Sequence, residues 1–215
     1  MDEEISIIDT KTRNEKIKSF FIENRRSLIL SIIFIIILVI SFYSYQIYID
    51  GQKEKISNQY NDTIINYQKK TDKSKTIESL KQVINKHDRT YSPLALYFII
   101  DNKLIEDKDE INELFEAIIN ETSLDKEIKN LVIYKKALFN ADDIDEVELI
   151  NILNPLINSN SVWKSHALYL VGEFFFNNGE KQKAKDFFQK IILTENSNPD
   201  IVLSAQKRLN RDLGD

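Results

Sequence analysis

The sequence has no cysteine and little of the glycine, proline and histidine from which many active sites are built. Its 215 residues contain no cysteine, four glycines, three prolines and two histidines. Without cysteine the chain forms neither a disulfide nor a thiolate metal site, and it carries no lipid on cysteine. Four scattered glycines cannot form the glycine-rich loop that cradles a phosphate. We therefore expect no catalytic residue, no cofactor and no metal ion, and a protein that is not an enzyme.

The polar residues that could suggest chemistry have simpler explanations. His87 lies beside Asp88 in a polar stretch that is typical of a solvated turn. Acidic clusters occur at residues 106–110 and 142–146, but both lack the glycine and the distal glutamate of a calcium-binding loop. Because carboxylates stabilise the N-termini of helices, we interpret both clusters as solvated helix starts.

The net charge argues against nucleic acid as a ligand. The acidic and basic residues of positions 1–49 cancel, so the whole net charge of −5 lies on residues 50–215. A negative domain repels the phosphates of nucleic acid and the surface of an anionic membrane. We expect its ligands to be proteins.

A long hydrophobic run dominates the N-terminal part of the chain. No charged residue occurs between Arg26 and Asp50, and most of that segment is Ile, Leu, Val and Phe. A helix rises about 1.5 Å per residue, so roughly 20 apolar residues cross the hydrocarbon core of a bilayer. The sequence therefore predicts a tail at 1–26, a transmembrane helix at 27–49 and a further domain at 50–215.

A cleaved signal peptide is the alternative reading of this run, but the sequence fits it less well. Its apolar region would be about 7 to 15 residues long and would end in a small-x-small cleavage site. The best match, Phe-Tyr-Ser at residues 42–44, has a bulky aromatic where a small residue is needed. We expect the helix to remain as an anchor, with Tyr43, Tyr45 and Tyr48 in an interfacial aromatic belt.

The distribution of lysine and arginine predicts the orientation of the anchor. Basic residues concentrate on the cytoplasmic side of a membrane helix, and acidic residues contribute little to this rule. Arg25 and Arg26 adjoin the helix on its N-terminal side, and further bases precede them, namely Lys11, Arg13, Lys16 and Lys18. We expect the N-terminus in the cytoplasm and the domain at 50–215 on the opposite side of the membrane.

Apolar residues recur at helical spacing from residue 56 onward, without a sustained alternation of period two, so the predicted fold class is all-α. A first stripe directly beyond the anchor is expected on a helix continuous with it, and consists of Ile56, Tyr60, Ile64 and Tyr67. Later stripes predict short amphipathic helices that pair as hairpins. Each hairpin exposes an apolar face that one neighbour cannot cover, so we expect an α-solenoid of stacked hairpins.

Local signals predict where two of these helices begin and end. Ser92 followed by Pro93 is typical of an N-cap with proline at the first helical position. Pro155 and the polar residues 158–161 are expected to interrupt a later helix.

Residues 165–192 resemble a tetratricopeptide repeat almost position by position. Gly172 stands where the two helices of a repeat touch, Gly179 at their turn, Ala184 at the small position of the second helix, and Phe188 at its aromatic position. A larger side chain at Gly172 or Ala184 would push paired helices apart, and glycine suits the left-handed conformation of a tight turn. Core positions of this repeat are Leu168, Val171 and Phe175. The best repeat is predicted at 165–198.

A capping helix is predicted at 199–212, after the Asn198-Pro199 helix start. Its inward face is expected to carry Val202, Ala205 and Leu209. Its solvated face is expected to carry Lys207, Arg208 and Arg211, as in the terminal helix of a repeat protein.

One face of the first helix of the repeat is the predicted protein-binding groove. It carries His166, Tyr169, Glu173, Phe176 and Asn177. In tetratricopeptide domains this face lines the concave surface, and aromatic side chains there are suited to anchor a peptide. The alternative is that these residues pack on the neighbouring helix.

The whole arrangement resembles the tetratricopeptide-like family that includes the ancillary subunit of the bacterial SecYEG translocon. That resemblance implies a bacterial inner-membrane protein with a periplasmic domain, whose partners are translocon subunits, periplasmic chaperones or exported chains. Two alternatives stay open. One is a scaffold for another envelope machine, such as outer-membrane protein assembly or cell-wall synthesis and division. The other is a signalling protein whose tail relays the state of the domain. The sequence leaves the oligomeric state open.

Overall fold

The computed structural model describes residues 15, 17–69 and 72–213, and within those residues it is helical without strands. The prediction of an all-α fold is therefore confirmed. Residues 1–14 and 16 of the predicted tail lie outside the described part of the chain. Residues 17–23 are helical. The helices that follow are α1 Arg25–Gln68, α2 Lys73–Ile84, α3 Tyr91–Asp101, α4 Lys108–Glu121, α5 Lys126–Asn140, α6 Glu146–Ile157, α7 Lys164–Asn177, α8 Lys181–Leu193 and α9 Pro199–Arg211.

The chain divides into two compact units, the first of which ends at Lys55. In this unit the apolar side chains of α1 are exposed around the whole helix, including Ile33, Phe34 and Tyr43. By length and composition α1 is long and apolar enough to cross a membrane. Among the described residues of this unit, no other segment buries these apolar side chains, which is the condition under which lipid would cover them.

The second compact unit begins at Ile56 and contains the last turns of α1. The predicted stripe on these turns packs against the helices that follow. The ring of Tyr60 lies 5.7 Å from that of Tyr91, and the ring of Tyr67 lies 5.3 Å from that of Phe98. The prediction that this stripe lies on a helix continuous with the apolar segment is confirmed.

Two clusters of buried side chains form the core of the second unit. One is built mainly by α2, α3 and α4, and the other by α5 to α9. They meet at α5, where Val132 belongs to the first cluster and Ile133 to the second. Full burial of one such side chain contributes about 1.5 to 3 kcal/mol, so both faces of α5 stabilise the fold.

Side-chain caps explain the acidic clusters. The carboxylate of Asp107 accepts hydrogen bonds from the backbone N–H groups of Asp109 and Glu110, and that of Asp145 accepts one from Glu148. Both acids therefore satisfy donors that a helix start leaves unpaired. The interpretation of the clusters as helix starts is confirmed.

The predicted start of α3 at Ser92 is wrong. The helix begins at Tyr91, directly after Thr90, and the carboxylate that accepts hydrogen bonds at its start is that of Asp88, from the N–H groups of Thr90 and Tyr91. Ser92 is buried, and its hydroxyl donates to the carbonyls at the end of α2, at 3.1 Å from Val83 and 3.0 Å from Ile84. The serine contributes to the end of the preceding helix because its position in the first turn of α3 places its hydroxyl beside these two carbonyls, which also accept hydrogen bonds from the backbone N–H groups of Lys86 and His87.

The prediction that Pro155 interrupts its helix is also wrong, since α6 continues to Ile157 and is capped at Asn158. Proline removes one backbone donor but has a φ angle that suits a helix. The fully buried Leu153 and Leu156 on either side hold the last turn against the core. The free energy gained by burying these leucines therefore exceeds the cost of the backbone hydrogen bond that proline cannot donate.

Gly172 and Gly179 occupy special positions in the α7–α8 hairpin. A Cβ added at Gly172 would lie 2.7 Å from Cε1 of Phe188, closer than side chains tolerate. Gly179 has a φ of +79°, in the left-handed region that favours glycine. The hairpin therefore depends on one glycine for helix contact and on the other for its turn.

We expect Gly172→Ala to lower the free energy of unfolding by about 1 to 3 kcal/mol, because the new methyl group overpacks the contact with Phe188. Thermal unfolding followed by circular dichroism would measure the loss. Gly51→Ala is the matched control, because its methyl would meet nothing within 4 Å. An unchanged midpoint for Gly172→Ala would show that the two helices do not approach this closely.

Candidate functional site

The face predicted to bind proteins lies on α7, which packs against α5 on one side and α9 on the other. Four of its five predicted residues are partly buried, and Asn177 is exposed. The surroundings of each residue therefore decide whether it is available to a partner.

On the α9 side, Arg208 occupies the predicted face. Its Nε lies 2.6 Å from Oε1 of Glu173 and its Nη2 lies 2.5 Å from Oε2, which is a bidentate ion pair. Its guanidinium carbon lies 4.7 Å from the ring centroid of Phe176. The prediction that Arg208 is solvated is wrong, because a carboxylate and an aromatic face on α7 together bind it.

Arg208 also links α7 to the end of the chain. Its Nη1 donates to the carboxylate of Asp212 at 2.9 Å. Arg211 and Arg208 hold the pKa of the Asp212 carboxyl well below its usual value of 3.8. Hydrogen bonds that Arg208 donates to Glu173 and Asp212 raise the pKa of its guanidinium above its usual value. Arg208 and Asp212 therefore stay ionised at neutral pH, and the cluster joins α9 to α7 by charge as well as by apolar contact.

Tyr169 faces the same side of α7 as Arg208. Its ring centroid lies 5.4 Å from that of Phe188 on α8. Burial raises the pKa of its hydroxyl, and the charge of Glu173 adds to the effect. Tyr169 and Phe176 are thus in contact with α8 and α9, whereas their role in binding a partner stays a prediction.

His166 lies on the α5 side of α7, in a cluster of aromatic rings. Its ring centroid lies 5.0 Å from that of Trp163 and 5.9 Å from that of Tyr134, and these two rings stack at 5.8 Å. Burial lowers the pKa of His166, and the carbonyl of Val162 acts in the opposite direction. The imidazole is therefore neutral at pH 7 and packs as an aromatic ring.

The residues expected to pack inside the repeat are buried in the structure. They are Leu168, Val171, Gly172, Phe175, Ala184 and Phe188. Gly179 is exposed at the turn.

A buried polar network beside the aromatic cluster was not apparent from the sequence. The indole N–H of Trp163 donates to the carbonyl of Glu127 at 3.1 Å, and the hydroxyl of Ser161 donates to the Glu127 carboxylate at 2.7 Å. Asn130 donates to the same hydroxyl oxygen at 2.9 Å. These bonds tie α5 to the segment that leads into α7, over a separation in sequence that periodicity does not reveal.

A cleft of about 500 Å³ opens beside the C-terminal end of α7, against the α5–α6 turn. Its lining combines apolar side chains with carboxylates and includes no lysine or arginine. Its lining residues are Leu138, Ala141, Asp142, Ile144, Asp145, Glu146, Leu170, Glu173, Phe174, Asn177, Asn178 and Glu180. Glu173 and Asn177 belong to the predicted face, and sequence reasoning missed the others.

A second, smaller cleft of about 200 Å³ lies between α3 and α5. Tyr97, Asp101 and Lys135 are among its lining residues, and the Lys135 ammonium lies 4.4 Å from the Tyr97 ring centroid. Leu138 lines both clefts. The two clefts therefore adjoin at this exposed leucine, one on the α3 side of α5 and the other on its α7 side.

The geometry of the described residues is that of packed, successive helices. Within the described residues, no group of three or more His, Asp and Glu side chains is placed to hold a metal ion. Successive helices bury their apolar faces against each other, and clefts open between helices that are two apart in the chain. This arrangement is typical of helical-repeat proteins, which present surfaces to other proteins.

Comparison with protein families agrees with this class. A family model described as a tetratricopeptide repeat-like domain matches residues 18–207. The chain belongs to the tetratricopeptide repeat-like family, whose members generally are non-enzymatic scaffolds for protein–protein interaction. Comparisons with curated proteins and with solved structures found no match.

The Arg208–Glu173 pair should show a coupling free energy of about 1 kcal/mol or more in a double-mutant cycle with Arg208→Ala and Glu173→Ala. The reason is that the pair is bidentate and partly shielded from water. Denaturant unfolding of the four proteins measures the coupling. The control cycle, Lys183→Ala with Glu146→Ala, concerns a more exposed pair and should give a clearly smaller coupling. Additive effects at Arg208 and Glu173 would contradict the pairing.

Proposed function

We propose that this protein is a non-enzymatic subunit of the bacterial inner membrane, anchored by α1, whose helical domain binds other proteins. One observation carries the proposal. The family match at residues 18–207 includes both an exposed apolar helix and a tetratricopeptide-like domain. We further propose that the helices from residue 56 onward form a solenoid of stacked hairpins. Packing of each helix from α2 to α9 on the next, and of α7 on both α5 and α9, supports this.

The charge distribution supports one orientation. Arg25 and Arg26 adjoin the apolar segment at 27–49 on its N-terminal side. The positive-inside rule then places the tail in the cytoplasm and the domain at 50–215 in the periplasm.

The absence of cysteine makes this topology directly testable. A cysteine introduced as Glu113→Cys, an exposed position on α4, should react with a membrane-impermeant maleimide in intact spheroplasts. Lys18→Cys should react only after lysis. Because the parent chain has no cysteine, each variant reports one site. Labelling of Lys18→Cys in intact spheroplasts would contradict the orientation, and release of the protein by alkaline carbonate would contradict the anchor.

We propose protein export as the process, with translocon subunits, periplasmic chaperones or newly exported chains as partners. The resemblance of the repeat at 165–198 to the family of the ancillary translocon subunit supports this choice. A domain without catalytic machinery, held at the membrane, can act there only by contact. Binding that permits handover must also be reversible, so we expect micromolar rather than nanomolar affinity.

In-cell photocrosslinking from Asn177, the exposed member of the predicted face, should capture translocon subunits, chaperones or exported chains. A photoreactive residue at Asp186, exposed on α8, serves as the control and should not capture them. Capture of division or outer-membrane assembly proteins from Asn177 would replace the export proposal by a scaffold for those machines. Equal capture from both positions would show that the α7 face is not the binding site.

A further inference from the structure

We propose that the cleft between the α5–α6 turn and the end of α7 binds a partner segment in which a lysine or arginine stands beside an apolar side chain. The inference rests on the proposed function, since it names the chemistry of the segment that such a protein would bind. It goes beyond the predicted α7 face, because most of the cleft belongs to other elements.

The charge of the cleft determines the sign of its ligand. Five carboxylates line it, and no lysine or arginine does. Two cations from outside the cleft pair with three of them: Arg208 binds Glu173, and Lys183 lies 2.8 Å from both Glu146 and Glu180. The remaining two, Asp142 and Asp145, are exposed and have no cation partner among the described residues. The uncompensated charge is therefore negative and faces solvent.

The floor of the cleft offers apolar contact next to that charge. Leu138 is 51% exposed. It lines two adjoining clefts and is therefore not an isolated leucine on a polar surface. Leu170 and Phe174 are partly buried beside it. Isolated exposed leucines are common on protein surfaces, but contiguous apolar area in a concave site is typical of a binding site.

A lysine or arginine satisfies both features at once. Its aliphatic stem can lie along Leu138 while its charged end reaches Asp142 or Asp145, as long basic side chains do at apolar surfaces. An acidic segment would be repelled by the same carboxylates, and a purely apolar one would leave them without compensation. Charge complementarity therefore favours a basic and apolar segment over both.

The walls of the cleft are held in place before any ligand arrives. The Asp145 carboxylate accepts a hydrogen bond from the N–H of Glu148 at 2.9 Å, which fixes the start of α6. The turn after α7 is fixed by the left-handed Gly179, and Glu173 is held by Arg208. A preformed site loses less conformational entropy on binding.

The test measures fluorescence anisotropy of two labelled peptides on the full-length protein in nanodiscs of neutral phosphatidylcholine, which does not attract basic peptides. One peptide alternates lysine and leucine, and the other has glutamate in place of each lysine. We expect the basic peptide to bind and added salt to weaken it. Asp142→Lys should weaken binding about three- to tenfold, and Leu138→Ser about fivefold, in line with the usual size of surface-charge and partial apolar contacts.

Two matched variants control for charge and for exposed apolar area. Glu113→Lys makes a comparable charge reversal on α4, and Leu203→Ser removes a leucine of α9 that is also 51% exposed. Both should bind the basic peptide like the unchanged protein. Circular dichroism of all variants would verify that each is folded.

The proposal is overturned if the acidic peptide binds as tightly as the basic one, or if Asp142→Lys and Leu138→Ser bind like the unchanged protein. It is also overturned if the cleft proves to be occupied by a second copy of the chain, seen as a dimer that Leu138→Ser disrupts. If the peptide-binding test fails but photocrosslinking from Asn177 captures export proteins, only the cleft proposal is wrong and the proposed function is retained. Peptide binding that follows the expected pattern, together with failed capture, would count against the proposed function alone.

Discussion

Helices α2 to α9 are only 11 to 15 residues long, and this shortness governs how the rest of the domain is built. Isolated helices of about 12 to 15 residues or fewer are marginal in water, because forming the first turn is unfavourable. Each helix therefore depends on burying its apolar face against a neighbour. Phe115, Phe175 and Phe188 are almost completely buried, and Gly172 lets Phe188 reach the backbone of α7. The contact between Gly172 and Phe188 sets how closely α7 and α8 can lie.

Apolar burial alone does not fix how the helices align, since it has no direction. In this protein polar contacts between successive helices add that direction. The amides of Asn112 on α4 and Asn140 on α5 exchange hydrogen bonds at 2.9 and 2.8 Å. Ser92 ties α3 to the end of α2 in the same way. Losing one such hydrogen bond costs about 0.5 to 1.5 kcal/mol, so each bond favours one alignment of the helices.

The sequence predicted what depends on local pattern and missed what depends on contacts between distant residues. Helical periodicity gave the fold class, and the Asn198-Pro199 signal gave the start of α9, where Asn198 accepts hydrogen bonds from Asp200 and Ile201. The roles of Ser92 and Arg208 could not be read this way. A serine before proline and an arginine in a last turn have ordinary local explanations, whereas their actual partners lie on other helices. The cleft was missed for the same reason, because the two turns that form it are separated in sequence by the whole of α6 and α7.

The two sides of α7 differ in electrostatic character, and the difference bears on how a partner could bind. On the α9 side Arg208 already neutralises Glu173 and covers part of Phe176, so a ligand there would compete with an intramolecular cation. On the α5–α6 side Asp142 and Asp145 carry charge that no cation of the described residues balances. Exposed charges contribute only about 0 to 1 kcal/mol each to affinity, yet they accelerate encounter with an oppositely charged partner. A modest apolar contact area keeps dissociation fast. Rapid association with rapid release suits a transient contact better than a permanent complex.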